Sequence, residues 1–298
     1  MSEKQTNSPP NLATPQTAQP AVADSGRGRN LRWLMGLAVA TILTVNVYLI
    51  NAQLARTAAE QKQTAFWSLC HAGLTPVQRA ECFLKLAAEG NTEWRSALLD
   101  NMDLRGIDLA GIQVESGQLK SCNFSGVRLA AANLEGSALD LSDLSNADLS
   151  KARLRNASFF KTILEETDFR NAELLSVTLE QSKAHKAKFV AAKMGDAFLP
   201  MADMTGADFT GADLSGANME AAIMKETELA LANLHGTYLE DTDFTDSNWW
   251  RARGLDTQQI EMFILKFPPT PKSSDSRRRD FEIWLTRRIE DSGKTSQP

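Results

Sequence analysis

The chain has 298 residues, with 32 Lys and Arg against 37 Asp and Glu, a formal charge of −5, and only three Cys and three His. That charge disfavours a protein built mainly to bind nucleic acid, and three Cys are too few to staple a small disulfide scaffold. Hydrophobic residues make up 43% of the chain, enough to bury a core.

Residues 1–30 are rich in Pro, Ser, Thr, Gln and Ala and nearly devoid of large apolar residues, so a disordered tail is expected there. From Trp33 to Ile50 the chain then carries no charge. Eighteen residues at about 1.5 Å each span about 27 Å as a helix, which matches a bilayer core. Trp33 and Tyr48 lie where interfacial aromatics belong, and Asn46 is the one costly residue. Residues 33–50 are therefore read as a single-pass transmembrane anchor, a signal-anchor. A buried core helix and a cleaved signal peptide remain as alternatives. Arg27, Arg29 and Arg32 precede this segment, and only Arg56 and Lys62 follow closely. The positive-inside rule then keeps the N-terminus in the cytoplasm and places residues 51–298 outside it, in the periplasm if the membrane is a bacterial inner one.

Residues 56–98 read as a small helical hairpin that caps the N-terminal end of the next domain. Thr75-Pro76-Val77-Gln78 has the form of an N-cap, a proline in the first turn and a capping-box Gln, with a stop near Glu89-Gly90. Cys70 and Cys82 flank this turn and are a disulfide candidate in an exported domain, with two buried thiols as the alternative.

Past residue 99 a five-residue beat sets in, as in TGADFTGADLSGANM at 205–219. A large apolar residue stands at every fifth position through thirty in-phase centres, from Leu104 to Trp249, with Ala184 the one small centre. Two residues before each centre, 25 of the 30 positions hold Ala, Ser, Thr, Gly or Cys. Flanking positions are polar or small, as at Asp203, Asp208, Asp213 and Asn218. Neither a helix nor a strand has this period, so the segment is a true repeat. The large centre belongs inside, and the small residue before it lets the backbone turn inwards.

This pattern resembles the A(D/N)LXX motif of the pentapeptide-repeat family over about residues 99–250. The resemblance implies an all-β solenoid, a right-handed quadrilateral β-helix with four pentapeptides per coil, in which residues n and n+20 stack. Phe169, Phe189 and Phe209 would then lie one above another. At a strand-like spacing of about 4.8 Å per coil the rod is about 36 Å long. Cys122 falls on an inward small position.

Beyond Trp249-Trp250 a short helix over Thr257–Lys266 is expected, then a second amphipathic helix carrying Phe281, Trp284, Leu285 and Ile289 on one stripe. Together with Trp249 and Trp250 these residues form a candidate cap, because solenoid ends need covering. A homodimer contact or a partner site are the alternatives. Arg277, Arg278, Arg279, Arg287 and Arg288 stand near an acidic stretch, Asp196–Asp246, which holds eleven acids against Lys225 alone.

Nothing in the pattern points to catalysis. His185 and His235 follow centres and face outwards, no Cys-His cluster has metal spacing, and the Gly-Ala-Asp units belong to the repeat. The expectation is a membrane-anchored, non-enzymatic scaffold that presents its rod to an unidentified protein, with no catalytic, cofactor or metal site and no nucleic-acid ligand. The alternatives are a DNA mimic similar to the quinolone-resistance pentapeptide proteins, which occupy a type II topoisomerase, and a secreted effector.

Overall fold

The computed structural model describes residues 75–88 and 94–295, together with residues 49, 50 and 53. The segment expected to span a membrane, the N-terminal tail and Cys70 lie outside the described residues, Leu49 and Ile50 apart. Among the described residues no helix is long and apolar enough to cross a membrane.

The first element is helix α1, Pro76–Ala88. Its start is the expected reciprocal cap: the Gln78 N–H donates to Thr75 Oγ1 at 3.4 Å, and the Thr75 N–H donates to Gln78 Oε1 at 3.0 Å. Phe83 of this helix packs on Trp94 with ring centroids 4.6 Å apart, closing the first coil.

Trp94 opens the solenoid two units before the beat is clear in sequence. Both Trp94 and Leu99 are buried centres, and the Trp94 N–H already donates to Gln113 O at 2.6 Å. The beat is obscured from Arg95 to Asn101, where only Ala97 keeps the small inward position.

From there the chain winds in coils of four units. Parallel bridges join residues before the centres to their equivalents twenty residues on, from Leu98↔Gln118 to Asn233↔Arg253. Among the described residues the β content of the expected β-helix is confined to these single-residue bridges. The reason is the corner. In most units the N–H three residues after a centre donates back to that centre's carbonyl, as Ala207 does to Met204 at 2.9 Å, while the Met102 and Cys122 N–H groups meet Cys122 Sγ and Ser142 Oγ instead. A turn at each corner leaves one residue free to bridge.

The turn also requires a positive φ two residues after each centre. Glycine fills it at Gly206, Gly211 and Gly216, but Lys186 (φ 55°) and Met201 (φ 55°) adopt it too. The left-handed region costs an ordinary residue about 1–2 kcal/mol. It persists because the same residue's N–H is held by the next coil, as Met201 N–H is by Glu220 O at 2.9 Å.

Inside, the centres and the small residues before them form one continuous apolar core. Phe169, Phe189 and Phe209 stack with centroids 4.9 and 4.8 Å apart and planes within 6°. Inward hydroxyls find carbonyls of the preceding coil, as Ser142 Oγ finds Leu119 O at 2.8 Å and Thr242 Oγ1 finds Met219 O at 2.7 Å. Cys122 sits in the same role, 1% exposed, its thiol donating to Leu99 O at 3.0 Å.

The last coil has no successor, so side chains replace its missing backbone partners. Asn248 Oδ1 accepts the Leu229 N–H at 2.5 Å. Helix α2, Thr257–Lys266, starts on an Asp256–Gln259 capping box, and helix α3 spans Asp275–Thr295. Gly254 allows the approach to α2, since a Cβ there would lie 2.5 Å from the His235 backbone nitrogen.

Candidate interaction surface

The centre side chains turn inwards, so the residues on either side of each centre form four outer walls. Two opposite walls differ sharply in chemistry. The second wall backs onto the centres Leu119, Leu139, Phe159, Leu179, Leu199, Met219 and Leu239. Its bridge column reads Leu98, Gln118, Ala138, Ser158, Thr178, Phe198, Asn218 and Tyr238, eight stacked positions without a charge. Leu98 is 52% exposed, Phe198 40% and Tyr238 68%, and Met201 at the adjoining corner is also exposed.

The fourth wall, behind Phe169, Phe189 and Phe209, is the reverse. Its bridge column from Asp108 to Glu228 reads Asp108, Arg128, Asp148, Asp168, Lys188, Asp208 and Glu228, every one charged. These charges compensate one another. Arg128 bridges to Asp108 at 2.5 Å, Arg170 grips Asp168 at 2.6 Å, and Glu228 receives Arg277 from α3. Burial pushes the Asp168 carboxyl up, but hydrogen bonds from the Arg170 side chain and backbone, aided by Lys188, outweigh it and leave the carboxyl below its ordinary range.

Most of the repeat's aspartates also have a structural task that the sequence pattern alone did not reveal. The residue before a centre accepts the N–H two positions on, as Asp208 does from Thr210 at 2.9 Å and Asp213 does from Ser215 at 3.1 Å. Asp203 and Asp243 add the hydroxyls of Thr205 at 2.6 Å and Thr245 at 2.5 Å. These are Asx turns, and the visible signal was Asp or Asn followed two residues later by Ser or Thr. Burial raises the carboxyls of Asp203, Asp213 and Asp243, yet these bonds more than offset it and hold all three low.

At the C-terminal end Trp249 and Trp250 are buried, 0% and 4% exposed. Trp249 meets Phe263 at 5.3 Å and Trp284 at 5.4 Å, and Trp250 meets Phe281 at 4.9 Å. Their indole N–H groups donate to Phe267 O at 2.9 Å and to Asp280 Oδ2 at 2.8 Å. Leu285 is half-buried against this cluster. Ile289, grouped with these residues from sequence, is instead 64% exposed. The buried side of α3 continues from Trp284 to Arg288, whose guanidinium lies 5.8 Å from the Trp284 ring centre. Of the five arginines set against the acidic stretch, Arg277 reaches it, through Glu228 and the Asp246 carbonyl, while Arg278 pairs with Asp275 of its own helix.

His185 and His235 both sit on the surface, and His185 Nε2 lies 2.8 Å from Asp203 Oδ2. Among the described residues no group of three His, Cys, Asp or Glu is placed to hold a metal ion. Cys82 is half-buried on α1.

The family model for pentapeptide repeats matches eight copies within residues 122–159, 152–189, 187–225 and 212–248. The repeats of this chain, residues 122–248, belong to the pentapeptide-repeat family. Solved relatives of the rod include QnrB1, a plasmid-mediated fluoroquinolone resistance protein, at 17% identity, with a TM-score of 0.47 and coverage of 59% of this chain and 92% of that one. Another is HetL, a pentapeptide repeat protein of the cyanobacterium Nostoc involved in heterocyst differentiation regulation. It is 21% identical, with a TM-score of 0.25 and coverage of 58% of this chain and 97% of that one. Neither likeness bears on what this rod binds. No curated protein matches the chain.

Proposed function

We propose that this pentapeptide-repeat protein is a non-enzymatic scaffold that presents the second wall of its rod, with its uncharged bridge column, to another protein. The observation that carries the reading is the exposure of Phe198, Met201 and Tyr238 on a wall whose bridge column holds no charge. Exposed aromatic residues in one uncharged strip are the usual composition of an interface centre. Residues 33–50 would hold the scaffold to a membrane, with the N-terminus in the cytoplasm and the rod outside it, on the strength of their length, lack of charge and flanking arginines.

Two measurements test the two halves of this proposal. A photoreactive residue at position 198 or 238, introduced into cells, should crosslink to a discrete partner, whereas one at position 148 on the fourth wall should not. Equal crosslinking from both walls would remove the case for the second. A reporter fused after Pro298 should be active only outside the cytoplasm, and cytoplasmic activity would overturn the anchored topology.

A DNA mimic needs free carboxylates in register along one face. In this rod Asp203, Asp208, Asp213 and Asp243 cap turns, Glu228 receives Arg277, and the acids are shared among the four walls.

A further inference from the structure

The second wall has another column, one residue after each centre: Asp140, Phe160, Glu180, Pro200, Glu220 and Glu240, of which Pro200 is buried. Inter-coil bonds set its register, Lys161 N–H to Glu180 O at 3.0 Å, Met201 N–H to Glu220 O at 2.9 Å and Ala221 N–H to Glu240 O at 2.9 Å. Glu220 and Glu240 are exposed, and among the described residues neither enters a salt bridge. The cations of this wall, Lys120 and Lys161, belong to its N-terminal half, where Lys120 Nζ lies 3.6 Å from Asp140 and Lys161 covers the Phe160 ring. From Thr178 to Asp241 the wall carries Glu180, Glu220, Glu240 and Asp241 and no Lys or Arg.

We infer that this half of the wall docks a polypeptide segment rich in both Lys or Arg and large apolar residues, laid along the rod axis. The inference rests on the scaffold reading above and names the partner's chemistry. Phe198, Met201 and Tyr238 supply the apolar contact, and Glu180, Glu220 and Glu240 form an acidic rail beside it. On the fourth wall Asp108, Asp168 and Glu228 each meet an arginine, whereas the rail has no cation of its own wall to meet. Complementary charge is what steers and selects such a partner. A second copy of this chain fits poorly, because two such walls would bring their rails together without cations. The geometry also has a usable scale. Phe198 and Tyr238 are two coils apart, as are Glu180 and Glu220, which is about 10 Å at strand spacing. Residues i and i+7 of a helix, or i and i+3 of an extended chain, span about that distance.

The test uses the full-length protein in detergent and three labelled peptides of equal length: one of Lys, Leu and Phe, one with every Lys replaced by Glu, and one of Lys and Ser. The first should bind, and raising salt from low to physiological strength should weaken it. Phe198→Ser or Tyr238→Ser should weaken it about tenfold or more, as expected for an aromatic anchor, and the pair E220Q/E240Q should remove most of its salt dependence. Asp208→Asn on the fourth wall should leave it unchanged. Equal binding of the Lys–Ser peptide, binding of the Glu peptide, indifference to the second-wall variants, or no binding of the first peptide would each overturn the inference. Crosslinking from positions 198 and 238 keeps the two claims apart. If it captures a segment that is not basic, the scaffold reading stands and this inference falls, and if it captures nothing, the scaffold reading falls.

Discussion

The second and fourth walls rest on the same core and the same hydrogen-bonded ladder, yet one column is wholly uncharged and the other wholly charged. Every centre points inwards on both walls, and outside it the fourth wall's aspartates also hold turns, as Asp208 holds the Thr210 N–H. The difference teaches that on the charged wall Asp108, Asp168 and Glu228 each meet an arginine, while the wall with the neutral column leaves aromatic rings and carboxylates open to solvent. A solvated surface needs no exposed Phe198 or Tyr238, so the neutral wall is the one with chemistry left over.

The comparison breaks most severely at its shared foundation. Phe189→Ala removes the middle ring of the Phe169–Phe189–Phe209 stack and should cost about 3–5 kcal/mol of unfolding free energy, read from urea midpoints. Both walls should melt together, since one core carries them. Separate transitions for the two walls would show that they do not share it.

Acid should act next, and through only one of the walls. Asp168 on the fourth wall is held below its ordinary range, so its contribution is present above the unfolded carboxyl value of about 3.9 and is lost as pH falls through the lower folded value. Stability measured from pH 6 down to pH 2 should therefore decline most steeply below about pH 4. Asp168→Asn should flatten that decline. An unchanged slope in Asp168→Asn would show that the Arg170 pair does not matter to folding.

A smaller effect is expected at Asp208. The sequence pattern suggests an idle, water-facing residue, but its bond to the Thr210 N–H should make Asp208→Ala cost about 1 kcal/mol. Asp208→Asn keeps the acceptor and should cost less. Equal losses in the two variants would point to charge rather than the turn.

The smallest effect sharpens the contrast. Phe198→Ser and Tyr238→Ser should each change stability by no more than about 0.5 kcal/mol, because both side chains are exposed, while still abolishing crosslinking to a partner. A loss of several kcal/mol would make the neutral wall a structural surface after all.

By itself the sequence determined which side chains face in and which face out over the repeat, because a large residue at every fifth position and a small one two places before it admit only that arrangement. Local signals also placed α1, through the Thr75 to Gln78 cap, and a helix over Thr257–Lys266 is expected where α2 lies. Tertiary structure decided the rest. A five-residue beat does not state how many units close a coil, and the resemblance to the family supplied the four that the bridges between residues twenty apart display. Only that closure brings Ala138, Ser158, Thr178, Phe198, Asn218 and Tyr238 into one strip, since residues so far apart along the chain have no local reason to share a face. The cap shows the same limit. Helical spacing put Ile289 on the stripe with Phe281 and Trp284, but the surface beneath α3 ends near Trp284 and Arg288, which leaves Ile289 in solvent. A helix's own period says which residues align, and the extent of the neighbouring surface decides how many of them are buried.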